Sequence, residues 1–207
     1  MLPGTTFVGL LRSPWIIVLL LTAAILVVVA IERFSNLRKI RFDEAKVLRE
    51  IERKLESKDI ESAIRVCEND NSPLTRVLRG GLQVASLSRD DIYDALEKTQ
   101  MRERGIMETR IGVLSTIAFI APLLGLLGTV VGIIQAFSGM ASAGGTDPTA
   151  MMSGVAVALL TTALGIIIAV PSAILFSIFS GRVDSIMQRI EIASKELMVM
   201  LSKMGKK

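Results

Sequence analysis

The side chains of this chain that could do chemistry are few, and they are unevenly placed. Thr129, Thr161 and Thr162 stand among leucine, valine, alanine and glycine in long stretches that hold no ionisable side chain. Of the 20 acidic residues, 19 lie within 32–110 or beyond Gly181, and the other is Asp147, in a short polar segment. A hydroxyl donates and accepts a hydrogen bond, so each threonine can either close on its own i−4 carbonyl or hold water in an apolar setting. Neither role moves a proton onto the side chain itself. There is no histidine and a single cysteine, Cys67. That leaves no internal disulfide, and the metal-ligand spacings of a zinc or haem site are missing. No serine or threonine has a histidine base, and there is no nucleotide loop and no Gly-x-Ser-x-Gly. Nothing in the residue inventory points to an enzyme, and no cofactor or metal is expected.

The same stretches carry small residues at helical spacing. Gly125, Gly128 and Gly132 share one face, and Ala158, Thr162, Gly165 and Ala169 follow at i, i+4, i+7 and i+11. Small residues let two helix backbones approach closely in a membrane, and they also make a smooth wall against which another helix can lie. Pro122 and Pro171 fall inside these stretches, where each removes one backbone hydrogen bond and can kink a helix.

The elements that carry these residues follow from the charge pattern. Mean hydropathy is +0.54, and three uncharged runs cover residues 13–31, 111–146 and 148–181. About 20 apolar residues cross a ~30 Å hydrocarbon layer, so the chain reads as an all-α polytopic membrane protein with three transmembrane helices. The first run leads into Glu32-Arg33 and a basic stretch rather than a cleavage site, which predicts a retained anchor. The expected layout is an external N-terminus over 1–12, spans at 13–31, 111–139 and 149–180, an external loop over 140–148, a cytoplasmic helical domain over 32–110 and a cytoplasmic C-terminal helix over 181–207. That orientation rests on the basic residues. Of 24 Lys and Arg, 17 lie between Arg33 and Arg110 and six follow Gly181, with none between the second and third spans. The pI near 9.5 does not imply nucleic acid. Acids alternate with the bases, and aromatic residues make up only 4%.

Between the first and second spans the period is helical. Val47, Leu48, Ile51 and Leu55 recur at three-to-four spacing, as do Ile60, Ala63, Ile64 and Cys67. Residues 69–73 (Asn-Asp-Asn-Ser-Pro) break the pattern, and a short helix through Leu74, Val77 and Leu78 is expected to stop at Gly80-Gly81. Ser88 and Asp91 make a capping-box start for one long helix expected to run from Arg89 through the second span. After the third span, Ile186, Ile190, Ala193, Leu197 and Leu201 form another apolar stripe.

The second span contains Ala121-Pro-Leu-Leu-Gly-Leu-Leu-Gly-Thr-Val130, and the third reads Gly154-Val-Ala-Val-Ala-Leu-Leu-Thr-Thr-Ala-Leu-Gly-Ile-Ile-Ile-Ala-Val-Pro171. Both resemble the signatures of the MotA/TolQ/ExbB proton-channel family, and three spans with an external N-terminus place the chain on the ExbB/TolQ side. The resemblance implies a homo-oligomeric ring, usually a pentamer, in the inner membrane. It also implies a single-span partner similar to ExbD or TolR that supplies an intramembrane aspartate, and a TonB- or TolA-like protein as load. By the same resemblance Thr129 and Thr162, with Thr161 beside them, line the ion path, and Pro122 and Pro171 couple ion passage to movement. The chain departs from the pattern at Val157, where many of these proteins carry a glutamate. An ion path lined by this chain therefore needs its carboxylate from elsewhere.

Overall fold

The computed structural model describes residues 14–40, 42–142 and 148–205. Among them it is all-helical, with seven helices: α1 (Pro14–Lys39), α2 (Glu44–Glu56), α3 (Ile60–Asn69), α4 (Pro73–Gln83), α5 (Arg89–Glu108), α6 (Ile111–Ser142) and α7 (Pro148–Gly205). Three stretches are long and apolar enough to cross a membrane: Pro14–Lys39, Ile111–Ala141 and Gly154–Met204. The N-terminal segment expected to be external, and most of the loop containing Asp147, lie outside the described residues.

The chain divides into two compact units. One gathers the described residues up to Arg33 with Arg110–Ile178, and the other gathers Phe34–Thr109 with the residues from Phe179 onward. In the first unit most large side chains remain uncovered. Phe119, Leu126, Ile134, Leu159, Ile167 and Ile174 are all exposed, so they are free to meet lipid or another helix. The buried positions form narrow stripes instead: Ile16, Leu19, Leu26 and Val29 on α1, and Ala121, Ala158, Thr161 and Ala169 where α6 meets α7.

The second unit has an ordinary soluble-type core. Val47, Leu48, Ile51 and Leu55 of α2 are buried, with Ala63 and Cys67 of α3 and Leu74, Val77, Leu78 and Leu82 of α4. The stripe expected on the last helix is buried as well: Ile186, Ile190, Ala193, Leu197 and Leu201. Local chemistry sets each boundary. Ser57 and Lys58 close α2 with paired bonds, Lys58 N–H to Leu55 O and Asp59 N–H to Lys54 O, and Lys58 takes a left-handed φ of 59°. Asp59 then caps α3 by accepting from Ser62 N–H. Ser72 caps α4 with Pro73 at its first turn, and Ser88 with Asp91 forms the expected capping box on α5.

Two helices depart from expectation. Gly80-Gly81 does not end α4, which runs on to Gln83. A Cβ on Gly80 would stand 2.6 Å from Thr99 Oγ1, and one on Gly81 2.7 Å from Leu96 Cδ2. These glycines are contact points for α5 rather than a stop signal. Nor does one helix run from Arg89 through the second span. Thr109 N–H and its hydroxyl both bond Gly105 O (3.1 and 2.8 Å), closing α5, and Arg110 turns to a φ of 64°. The Arg110 carbonyl then accepts Val113 N–H as α6 begins. The left-handed conformation costs a non-glycine residue about 1–2 kcal/mol, and here it lets the Arg110 guanidinium pair with Glu32. By contrast α7 is unbroken for 58 residues, through Pro171 and Gly181, so the third span and the C-terminal helix are one element.

Candidate functional site

Where α6 and α7 face each other, glycine sets the distance. A Cβ on Gly125 would lie 2.8 Å from the Thr161 carbonyl oxygen and 3.3 Å from Gly165 Cα, and one on Gly165 would lie 2.5 Å from the Ala121 carbonyl oxygen. On Gly128 it would meet Thr161 Oγ1 at 2.8 Å, and on Gly132 it would meet Ala158 Cβ at 2.7 Å. Ala158 and Ala169 are buried on the other side of this seam. Backbone meets backbone here, the packing that small residues allow inside a membrane.

The three threonines converge in the same seam. Thr129 is 9% exposed and Thr161 2%. Thr129 Oγ1 donates toward Ala158 O at 2.9 Å or Gly125 O at 3.2 Å, and it touches the Thr162 hydroxyl. Thr161 Oγ1 lies 2.6 Å from Ala158 O and 3.1 Å from Gly125 O. Thr162 Oγ1 reaches Gly125 O on the other helix at 3.2 Å. Three hydroxyls thus share two carbonyls across the helix pair. Thr22 and Thr116 differ, each bonding the carbonyl four residues back on its own helix. Thr162 is only part-buried, so one side of the network stays accessible.

The prolines and Val157 surround this network without joining it. Pro122 lies inside α6 and Pro171 inside α7. Next to Pro171, the buried Ser172 donates its hydroxyl to Leu114 O across the pair at 2.8 Å. Val157 is half-buried and helps line a groove of about 480 Å³ together with Trp15, Gln135, Gly154 and Thr161. Sequence reasoning missed Ser172 and Gln135. Each is a lone polar residue in an apolar run, and that was the available signal.

Comparison with known proteins matches residues 69–192 to the model of the MotA/TolQ/ExbB proton channel family. The chain belongs to that family. Among curated MotA/TolQ/ExbB relatives, an ExbB homolog from Methanothermobacter thermautotrophicus is 32% identical over 81% of this chain and 60% of its own length. The biopolymer transport protein ExbB of Pseudomonas putida is 35% identical over 47% of this chain and 30% of its own, and exbB1 of Vibrio cholerae is 42% identical over 38% and 35%. In each case the aligned part is less than two thirds of the relative. The family match includes all of α6 and runs from the last residue of α3 to Ile192 of α7. The MotA/TolQ/ExbB assignment therefore covers the threonine seam, the glycines, both prolines and Val157.

Proposed function

We propose that this chain is the channel-forming subunit of an ion-driven complex in the inner membrane, most simply proton-driven, that powers an envelope process such as biopolymer transport. The observation that carries the proposal is a contrast inside the spans. Their apolar runs hold no carboxylate or amine, yet three hydroxyls and two carbonyls converge between α6 and α7. Such a site can hold water or an ion but cannot itself take up and release a proton. The titrating group comes from an ExbD/TolR-like single-span partner, whose aspartate stands beside Thr162 inside a homo-oligomeric ring, pentameric in the simplest case. A TonB- or TolA-like protein receives the output. Residues 32–110 and 181–207 are cytoplasmic, and the N-terminus and the 140–148 loop are outside.

A second reading, a non-conducting scaffold that only seats a partner, is favoured by two observations. The site of the family glutamate is Val157, and the hydroxyls already have carbonyl partners within the chain. A stator for surface or gliding motility would use the same physics on another output. The test is ion flux into vesicles holding the ring and its single-span partner. Dissipation of an imposed proton gradient, lost when the partner's aspartate becomes asparagine, supports the channel. No flux from a correctly sized complex supports the scaffold.

A further inference from the structure

Glu32 directly follows the first apolar run, and Arg110 directly precedes the second. The two helix ends are joined there by one carboxylate. Glu32 Oε1 takes Arg33 Nη2 at 2.7 Å, and Glu32 Oε2 takes Arg110 Nη1. Two guanidinium groups share a single negative charge, so the cluster keeps one positive charge in excess. Arg33 is 7% exposed, and its Nε is the one buried side-chain nitrogen or oxygen among the described residues that lacks a hydrogen-bond partner. Arg110 keeps more than half of its side chain open. The N-terminus of α6 begins at the next residue and adds its positive end.

A buried charged donor without an acceptor is unfavourable, and an excess guanidinium attracts an anion it can grip with two parallel bonds. At the edge of a hydrocarbon layer the abundant anion with that geometry is a lipid phosphate, and basic pockets between transmembrane helices bind such headgroups. We propose that Arg33 and Arg110, bridged by Glu32, form a binding site for the headgroup of an acidic phospholipid. Glu32 competes with the lipid: it holds the two arginines together when the site is empty and yields one of them to the phosphate when it is filled. This site is separate from the threonine seam and does not depend on ion conduction.

The test uses the full chain in a non-ionic detergent with matched-chain phosphatidylglycerol and phosphatidylcholine, and native mass spectrometry counts the lipid retained. The unaltered protein should retain phosphatidylglycerol about fivefold better, the effect of roughly one extra basic residue at a membrane surface. Arg110→Gln, at an open position that packing tolerates, should bring the two lipids close to parity. Glu32→Gln frees both guanidinium groups and should raise phosphatidylglycerol retention above that of the unaltered protein. Inorganic phosphate at millimolar concentration should leave the lipid in place. Its displacement of the lipid would mean that the site takes free phosphate, and the lipid assignment would fail. Equal retention of both lipids by the unaltered protein would overturn the proposal. So would a preference unchanged by Arg110→Gln, or retention lowered by Glu32→Gln, which would mark the cluster as a structural ion pair only.

Discussion

Gly125 and Gly112 sit on the same helix and separate two effects of a methyl group. At Gly125 an added Cβ would lie 2.8 Å from a backbone oxygen that cannot rotate away. Gly125→Ala should therefore push α6 from α7 and destabilise the helix pair by about 1–3 kcal/mol, the range for overpacking a tight contact. Gly112 has nothing within 4 Å of its would-be Cβ, and Gly112→Ala should be neutral or slightly stabilising. Thermal unfolding in nanodiscs reads both. Thr162→Val tests the hydroxyl network. The change removes the Thr162 hydroxyl's contacts with Gly125 O and the Thr129 hydroxyl, and an interhelical hydrogen bond is worth about 0.6 kcal/mol on average in a membrane, so assembly should survive. If the part-buried hydroxyl holds water beside a partner carboxylate, flux in the reconstituted ring should fall strongly, and Thr162→Ser should restore part of it. Normal flux in the valine variant would remove Thr162 from the path. At Cys67 burial dominates: desolvation pushes the thiol up to about 12, with the Arg79 charge opposing and Asp70 and Glu68 adding to it. The folded state favours the neutral thiol, so stability is full below the ordinary value of 9.0 and declines as pH rises from there toward 12. Alkylation at pH 8 should be slow in the native protein and fast after unfolding.

Among the elements, α4 and α5 are held by a pair that sequence spacing does not reveal. Arg76 Nε and Nη2 reach Glu103 Oε1 and Oε2 at 2.8 and 2.6 Å, and Arg76 Nη1 also holds the Asn71 carbonyl at 2.8 Å. Glu103 is 3% exposed. Glu103→Gln should weaken this unit by about 2–3 kcal/mol, below the full cost of stranding a buried charge because Arg76 is partly open to water. Replacing both partners, as Arg76→Met with Glu103→Leu, should recover most of that loss in the same melting measurement. The last helix is tied into the unit by similar means. Arg189 stacks over the Phe42 ring at 4.5 Å and bonds Glu44 at 2.9 Å, and Arg104 pairs with Asp184 at 2.6 Å.

For the whole molecule, the proposed orientation and assembly each have a direct test. Ser142→Cys should react with a membrane-impermeant thiol reagent on intact cells, whereas Ser57→Cys, at an exposed position after α2, should react only after permeabilisation. Cys67 is a poor reporter because its burial silences it on either side. Labelling in the reverse order would overturn the orientation and the functional reading with it. Native mass spectrometry in nanodiscs should give a homo-oligomer, five copies in the simplest case. A stable monomer at micromolar concentration would argue against a ring.

The three spans were legible in the chain before folding, because uncharged apolar runs of that length suit a bilayer. So were the amphipathic helices between them and the capping box at Ser88, because apolar period and capping chemistry are local properties. The family followed from two contiguous motifs, each lying within one span. The meetings between distant residues came only with folding. These include the Gly80-Gly81 contact with α5, the convergence of Thr129, Thr161 and Thr162 on two carbonyls, and the Ser172 bond to Leu114. The break at Thr109-Arg110 belongs with them. Neither Thr109 nor Arg110 is a glycine or proline, and the left-handed turn is accompanied by an ion pair to a carboxylate 78 residues earlier in the chain. Local preference cannot encode an interaction whose partner is brought near only by folding.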